Sequence, residues 1–401
     1  MDLPQVVDLV ARNRAIIDEV ELRHRRSVVA QLHEGRRLQV ILGARGVGKS
    51  TALRQFAKLS LPPSQTALLS LDDLIFSADT LVDLGTALHD AGYRFLLLDE
   101  VHRYANWSRE VKILYDRFPT YRITVTGSSI TSLNRGDGDL SRRAARFTLR
   151  GMSWREWVAF AEGSTLPHPT LAELLTDAGD YVAEVRRQVA SPVASYKAYL
   201  RDGYFPYRVE EPESAVYLQR VRAAAHLAID LDIATTAELR PETTHKLKRL
   251  LSLIAGGSPY TPNMSTIAQQ IGTERRQVYR LVEFMEEAHL VRRLWAAGQT
   301  PKTLAKPEKL YLENTNLSYA LGNADVGNLR ETAFLAAVSE SHEVTASRHG
   351  DFRIGDTDFE VGGPSKTRKQ LARAPKGYRV IDDVEVAGGD RVPLYLFGLL
   401  T

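Results

Sequence analysis

Apolar positions change their spacing along this chain, and the changes mark out its parts. Residues 1 to 36 carry Val6, Val7, Leu9, Val10, Ile16, Ile17 and Val20 at helical intervals among charged neighbours, which predicts one or two amphipathic helices. From Leu38 the pattern turns to short unbroken runs, LQVILG, TALLSL, FLLLDE and ITVTGS. Runs apolar on both faces, with helical stretches between them, predict a parallel sheet covered on both sides. We therefore read residues 1–150 as an α/β domain preceded by helices.

Residues 151–250 contain MSWREWVAFAEG and then helical patterns broken at GYFPY (Gly203 to Tyr207); they read as a helical lid and connector. Within 251–315, Ile267, Ala268 and Ile271 form one apolar face, Gly272 a turn, and Val278, Leu281, Val282 and Met285 a second face. That is the periodicity of a helix-turn-helix, and the strands predicted after it make a winged helix. Asn263 or Ser265 is placed to cap the first helix and Thr273 the second. Residues 316–401 predict a helix around Glu331 and short strands in GDFRIG, TDFEVGG, YRVIDD and VPLYLFGLL, a small α/β domain.

A length of 401 residues argues for two or three domains, and 44% hydrophobic with 25% charged residues is a globular composition. The chain has no cysteine, which excludes disulfides, thiolate metal sites and a cysteine nucleophile. A net charge of +3 does not by itself argue for nucleic acid, although RHRR (Arg23 to Arg26) and KTRK (Lys366 to Lys369) are local basic clusters. The N-terminus lacks a basic start followed by an apolar run, and no stretch approaches the roughly 20 apolar residues of a membrane span. A cytoplasmic protein without a membrane role is expected.

The segment GARGVGKST fits G-x-x-x-x-G-K-[ST] through Gly43, Gly48, Lys49 and Ser50. Glycines let successive N–H groups aim at one anion, and the following helix adds its positive end. Gly43, Arg45, Gly46, Gly48, Lys49, Ser50 and Thr51 are the candidate nucleotide-binding residues. ATP with Mg2+ is the expected ligand, Lys49 reaching the β/γ-phosphates and Ser50 the metal. The strand before the motif and the amphipathic helix after it argue against a chance match. About fifty residues on, the strand FLLLDE ends in Asp99 and Glu100, a carboxylate to hold the metal through water and a candidate general base. A strand merely ending in solvated acids is the bland alternative.

The strand YRITVTGSS ends in hydroxyl residues, so Thr126 and above all Ser128 are candidates to sense the γ-phosphate; turn chemistry alone also favours Gly-Ser-Ser. The arginines of SRRAARFTLRG, Arg142, Arg143, Arg146 and Arg150, read either as a solvated basic face or as a source of a guanidinium acting on a neighbouring subunit.

Taken together, GARGVGKST, LLLDEVHRYANWSREVKILYD, VTGSS and LRGMSWREW resemble a widespread group of prokaryotic AAA-type P-loop ATPases with a C-terminal winged helix and restriction-endonuclease-like domain. Arg45 inside the loop and the Asn106-Trp107 pair are the more distinctive features, and the resemblance covers nearly the whole chain. In that group an arginine precedes the MSWREW-like segment and Arg143 is its best match, the candidate to act in trans. A homo-oligomer is expected on that reading, with a hexameric ring as the leaning and a monomer with internal closure as the alternative.

On the second helix of the helix-turn-helix, Arg275, Arg276, Gln277 and Arg280 are left for the surface, and Arg292, Arg293, Lys302, Lys306 and Lys309 surround the predicted wing. Double-stranded or branched DNA is the expected partner, held mainly through its backbone; a protein-interaction module is the alternative. RETAFLAAVSE followed by GDFRIGDTDFEVGGPSKTRKQ is similar to the restriction-endonuclease-like fold, which implies Glu331, Asp351 and Glu360 as its carboxylates. Gly362 stands where that fold's lysine is expected, so the site is read as degenerate unless Lys366 or Lys369 swings back. The functional expectation is a Mg-dependent ATPase that remodels DNA in repair, recombination, branch migration or defence. A nucleotide-gated signalling ATPase acting on a protein, or an ATP-controlled nuclease, are the alternatives.

Overall fold

The computed structural model describes residues 3–128, 140, 142–257, 259–299, 306–322 and 325–401; of the candidate residues, Lys302 lies outside them. Two compact units divide the chain, Met1–Arg150 with Asp230–Leu239, and Gly151–Ile229 with Arg240–Thr401.

The first unit is built on five strands, β1 (Leu38–Gly43), β2 (Thr66–Ser70), β3 (Phe95–Asp99), β4 (Arg122–Ser128) and β5 (Ala145–Thr148), in the order β2-β3-β4-β1-β5. Every pairing is parallel. The predicted α/β fold with a parallel sheet is therefore present, its apolar runs forming β1 to β4. The fifth strand was not expected. Its residues alternate between half-buried and exposed, as suits an edge strand, and its sequence ARFT offers no apolar run to notice. Helices α1 (Leu3–Glu19), α2 (Ser27–Gln31), α3 (Lys49–Ser60), α4 (Leu81–Asp90) and α5 (Trp107–Arg117) accompany the sheet. Leu9, Val40, Leu69, Leu98, Val111 and Val125 share its core, and Thr80 caps α4 by accepting from the Asp83 N–H at 3.1 Å. After β1 the chain crosses over β3 and β4 to lay down β2, returns to β1 with β4, and then passes to its other side with β5. That reversal places the ligand crevice of an open parallel sheet outside the carboxyl ends of β1 and its neighbours.

The second unit has helices Trp154–Ala161, Ala178–Gln188, Pro192–Asp202, Ser214–Leu227 and Pro241–Gly257. A helix pair follows, Met264–Ile271 and Arg275–Glu287, turning at Gly272 with φ 67°. Asn263 caps the first of these, accepting from Ser265 N–H at 3.1 Å and Thr266 N–H at 3.2 Å. Thr273 does not cap the second. That helix starts one residue later than the expectation required, with Glu274 at its N-cap, and the Thr273 hydroxyl donates to Gln277 Oε1 instead.

Beyond the pair run β6 (Val291–Ala296), β7 (Lys309–Leu312), β8 (Val344–Ala346), β9 (Phe352–Ile354), β10 (Thr357–Gly362), β11 (Gly377–Ile381) and β12 (Arg391–Pro393), in one sheet ordered β12-β11-β10-β9-β8-β6-β7. β6 is shared: Val291 to Leu294 pair antiparallel with β7, while Trp295 and Ala296 pair parallel with β8. The unit's core gathers Trp154, Phe334, Phe359 and Phe397, with the Phe334 and Phe397 rings edge-on at 4.9 Å. No helix among the described residues is long and apolar enough to cross a membrane.

Candidate functional site

The carboxyl ends of β1, β3 and β4 bring together side chains from three distant stretches of sequence. β1 stops at Gly43, where a Cβ would stand 2.2 Å from the Leu149 carbonyl oxygen; only glycine fits. The loop then turns through Gly46 at φ 85° and Gly48 at φ 93°, left-handed conformations that glycine adopts without steric cost. Gly48 is also the N-cap of α3, so the helix's free N–H groups open toward the loop. Arg26, read from the sequence as part of the basic cluster RHRR, braces this turn instead: it is buried and donates to the carbonyls of Val47 at 2.7 Å and Arg150 at 2.8 Å.

Lys49 begins α3 and is buried, its ammonium donating to the carbonyls of Gly43 at 3.1 Å and Ala44 at 2.9 Å. Burial pushes its pKa below the ordinary lysine value, against the pull of Glu100, Asp232 and Asp99. The Ser50 hydroxyl donates to Asp99 Oδ1 at 3.0 Å. Thr126, in β4, donates its hydroxyl to the same oxygen and accepts the Glu100 backbone N–H at 3.1 Å. Thr51 is exposed on α3.

Glu100 leaves β3 in the left-handed region, at φ 53°. A non-glycine residue there is uncommon and is found disproportionately at functional sites. Its carboxylate lies 3.3 Å from His102 Nε2. The Ser128 backbone N–H donates to His102 Nδ1 at 3.3 Å, which leaves the imidazole proton on Nε2. That nitrogen also faces Asp232 Oδ1 at 3.4 Å, and Arg45 donates to the same Asp232 oxygen at 2.8 Å.

His102 and Asp232 were missed in the sequence. His102 stood in the quoted run LLLDEVHRY, two residues past Glu100, so proximity was its only signal. Asp232 had none: it sits in AIDLDI, the π-helix Ala228–Ile233, far along the chain. A π-turn is itself often a mark of a functional position. Burial pushes the Asp232 carboxyl up, but His102 and Arg45 outweigh it and hold its pKa below the usual carboxylate range. Asp232 in turn holds the Arg45 guanidinium above its ordinary value, against the effect of burial.

Arg143 lies away from this cluster. It pairs with Asp116 of α5 at 3.5 Å and sits 5.7 Å from the Tyr115 ring, the ring on which Arg37, just before β1, stacks at 3.7 Å. The amino end of the sheet, opposite the glycine loop, therefore holds it.

In the second unit Arg275, Arg276, Arg280 and Lys306 are exposed, while Gln277 is half-buried and tied to Thr273. The expected basic wing is mostly turned inward. Arg292 is buried against Glu313 at 2.7 Å, Arg293 donates to Glu286 at 2.6 Å, and Lys309 meets Glu331 at 2.9 Å. Unpaired carboxylates in a packed unit would be costly, and these basic side chains neutralise them.

Lys309 belongs to a further cluster. Glu331 also accepts from Tyr311 at 2.7 Å, Lys309 lies 3.9 Å from Asp351, and Asp351 accepts the Val361 N–H at 2.9 Å. Lys366 returns to Glu360 at 2.5 Å. A Cβ on Gly362 would come within 2.7 Å of the Lys366 Cδ, so the missing side chain at 362 leaves the space in which the Lys366 stem lies. Burial raises the pKa of both Asp351 and Glu360. Among the described residues no group of three or more acidic or histidine side chains is arranged to hold a metal ion.

Known proteins resemble parts of this chain. Residues 35–158 match an AAA domain family, and residues 193–328 match a domain of unknown function (DUF8612). The uncharacterized protein MJ1637 of Methanocaldococcus jannaschii is 27% identical over 291 residues, covering 69% of this chain and 61% of that protein. Less than two thirds of that relative's length is thus spanned. Among solved structures, AMPPCP-bound DnaA from Aquifex aeolicus aligns over 68% of this chain and 86% of its own at 13% identity, TM-score 0.31. Domain III of the Thermotoga maritima replication initiation protein DnaA aligns over 53% and 84% at 14% identity, TM-score 0.29. C. elegans PCH-2 aligns over 44% and 49% at 17% identity, TM-score 0.24. The family match over β1 to β5, the glycine loop leading into α3 and the Asp99-Glu100 strand end make residues 35–158 an AAA-type P-loop ATPase domain.

Proposed function

We propose that this chain is a Mg2+-dependent ATPase that binds and remodels DNA. The observation that carries the reading is the convergence of Lys49, Ser50, Asp99 and Glu100 at the carboxyl edge of the sheet, with Ser50 and Asp99 in contact at 3.0 Å. A triphosphate fits this cradle. Gly43 leaves room for the Leu149 carbonyl and Gly46 and Gly48 take left-handed conformations that let the loop turn its N–H groups on one anion, and Lys49 is a buried cation whose present partners are neutral carbonyls. Lys49 would neutralise the β- and γ-phosphates, Ser50 and Asp99 would hold the magnesium, and Glu100 would take the proton of the attacking water. Magnesium supplies charge neutralisation of the transferred phosphoryl group. Ser128 remains a candidate γ-phosphate sensor, although Thr126 touches both acidic residues more directly.

Arg275, Arg276, Arg280 and Lys306 support a DNA-contacting surface on a winged helix, one that meets mainly phosphates. Glu331, Asp351 and Glu360 gather with Lys309 and Lys366; the return of Lys366 to Glu360 is the condition set for cleavage, so this observation supports the alternative of an ATP-controlled nuclease beside that of a degenerate domain used for binding or assembly. Arg143, remote from the loop of its own chain, is available to act on a neighbour's nucleotide in a homo-oligomer, with a hexameric ring as the leading form. The inward-turned Arg292, Arg293 and Lys309 favour the second reading, a nucleotide-gated ATPase acting on a protein, because they thin the basic wing.

One experiment separates the readings: ATPase rate and solution mass of the purified chain, with and without linear, forked and junction DNAs. Stimulation by DNA and a defined oligomer support the proposal. An ATPase indifferent to every DNA points to the protein-directed alternative, and the absence of Mg2+-dependent ATP hydrolysis overturns the proposal itself.

A further inference from the structure

The glycine loop holds an anion supplied by the chain. Arg45, between Ala44 and Gly46, donates to Asp232 Oδ1 at 2.8 Å, and the Asp232 side chain is only 3% exposed. His102 Nε2 lies between the same oxygen at 3.4 Å and Glu100 Oε2 at 3.3 Å, without hydrogen-bond geometry to either. Lys49 feels the charge of Asp232 as well as those of Glu100 and Asp99. Arg45, Lys49 and Arg54, the last 4.0 Å from Asp99, balance the carboxylates of Asp99, Glu100 and Asp232, so the cluster holds its charges in pairs without a nucleotide.

Asp232 arrives on Asp230–Leu239, a segment of the first unit whose chain continues at both ends into the second. It enters from the helix Ser214–Leu227 and leaves toward Pro241–Gly257. It does so within the π-helix Ala228–Ile233, a rare irregular turn of the kind found frequently at functional sites.

We infer that Asp232 is a built-in competitor for the nucleotide's phosphates, holding Arg45 until a triphosphate takes Arg45 and releases the segment 230–239. The inference rests on the nucleotide-binding reading of the glycine loop. A phosphate and a carboxylate claim the same guanidinium and repel each other, so each weakens the other's hold. Such coupling is reciprocal and typically amounts to roughly 5- to 150-fold in affinity. Occupancy of the loop thereby changes the freedom of a segment that the chain links to both units.

The test is binding of a fluorescent ATP analogue with Mg2+ to the full chain, together with hydrogen exchange of amides 230–239. Asp232→Asn, which keeps shape and removes charge, is expected to bind about tenfold more tightly, within that range, and to exchange faster at 230–239 before any nucleotide is added. Asp232→Glu, which keeps the charge, is expected to stay within about twofold of the parent, far below the coupling range. In the parent chain, nucleotide should speed exchange at 230–239. Equal or weaker binding by Asp232→Asn, or slowed exchange in the parent on adding nucleotide, overturns the inference while leaving the ATPase reading intact. If Asp232→Asn does not fold, the exchange measurement on the parent decides alone. A parent chain that binds no adenine nucleotide removes both readings, and that result is distinguishable from the others.

Discussion

Ser50 and Asp99, 49 residues apart, meet through a hydroxyl-to-carboxylate hydrogen bond of 3.0 Å. The contact joins the first turn of α3 to the end of β3, the two places from which a P-loop site draws its metal ligands. Replacing Ser50 or Asp99 by alanine is expected to remove the Mg2+-dependent part of ATP binding. Lys49→Ala is expected to abolish detectable binding, since the buried ammonium is then lost altogether. Equilibrium binding of an ATP analogue with and without Mg2+ checks both.

Glu100 is expected to govern turnover and not affinity. Its strained backbone presents the carboxylate beside His102, while phosphate contacts belong to the loop. Glu100→Gln should keep ATP and slow hydrolysis by about 100- to 10,000-fold, the usual worth of a positioned general base. Single-turnover hydrolysis measures this, and a normal rate in the glutamine variant would remove Glu100 from the role of base.

Gly43→Ala should lower stability through packing alone. The added methyl would stand 2.2 Å from the Leu149 carbonyl, a backbone atom that cannot rotate aside. Overpacking of this kind costs about 1–3 kcal/mol, which is at least ~2 °C in the unfolding midpoint of a domain this size. Calorimetry reads it directly. An unchanged midpoint would mean that the end of β1 has room that the structure does not give it.

Two arginines of similar sequence context should behave oppositely. Arg292→Ala leaves Glu313 buried without its principal partner and should cost about 3–5 kcal/mol. Arg276 is exposed, so Arg276→Ala should alter stability by no more than ~0.5 kcal/mol yet weaken DNA binding and reduce its salt dependence. Chemical unfolding and a salt titration of DNA affinity, run on both variants, test the assignment.

Asp232 should leave a mark on acid stability. Its carboxyl is held below the usual range in the folded chain, so its stabilising share is complete above its unfolded value of about 3.9 and fades as pH falls through the folded value. The difference in unfolding midpoint between the parent and Asp232→Asn should therefore be constant from neutral pH down to about 4 and shrink below it. A gap that widens as pH falls would reverse the sign of the assignment.

Local pattern was enough to find most of the first unit. Strands β1 to β4 are unbroken apolar runs because a sheet covered on both faces needs apolar side chains in both directions, and the glycine loop shows itself because its conformations admit almost nothing else. The residue types at Lys49, Ser50, Asp99 and Glu100 were equally plain, each lying at the end of such a run. By contrast β5 was invisible, since an edge strand that is half exposed need not be apolar. Arg292, Arg293 and Lys309 were read as surface charge because sequence carries the sign of a side chain but not the partner that buries it. The same limit hid Asp232. Nothing in AIDLDI distinguishes that aspartate from any other on a helix, and only the folding of residues 230–239 back onto the first unit sets it against Arg45 and His102. Periodicity and steric permission are local and can be read along the chain; charge pairing between distant segments is decided by where the backbone returns.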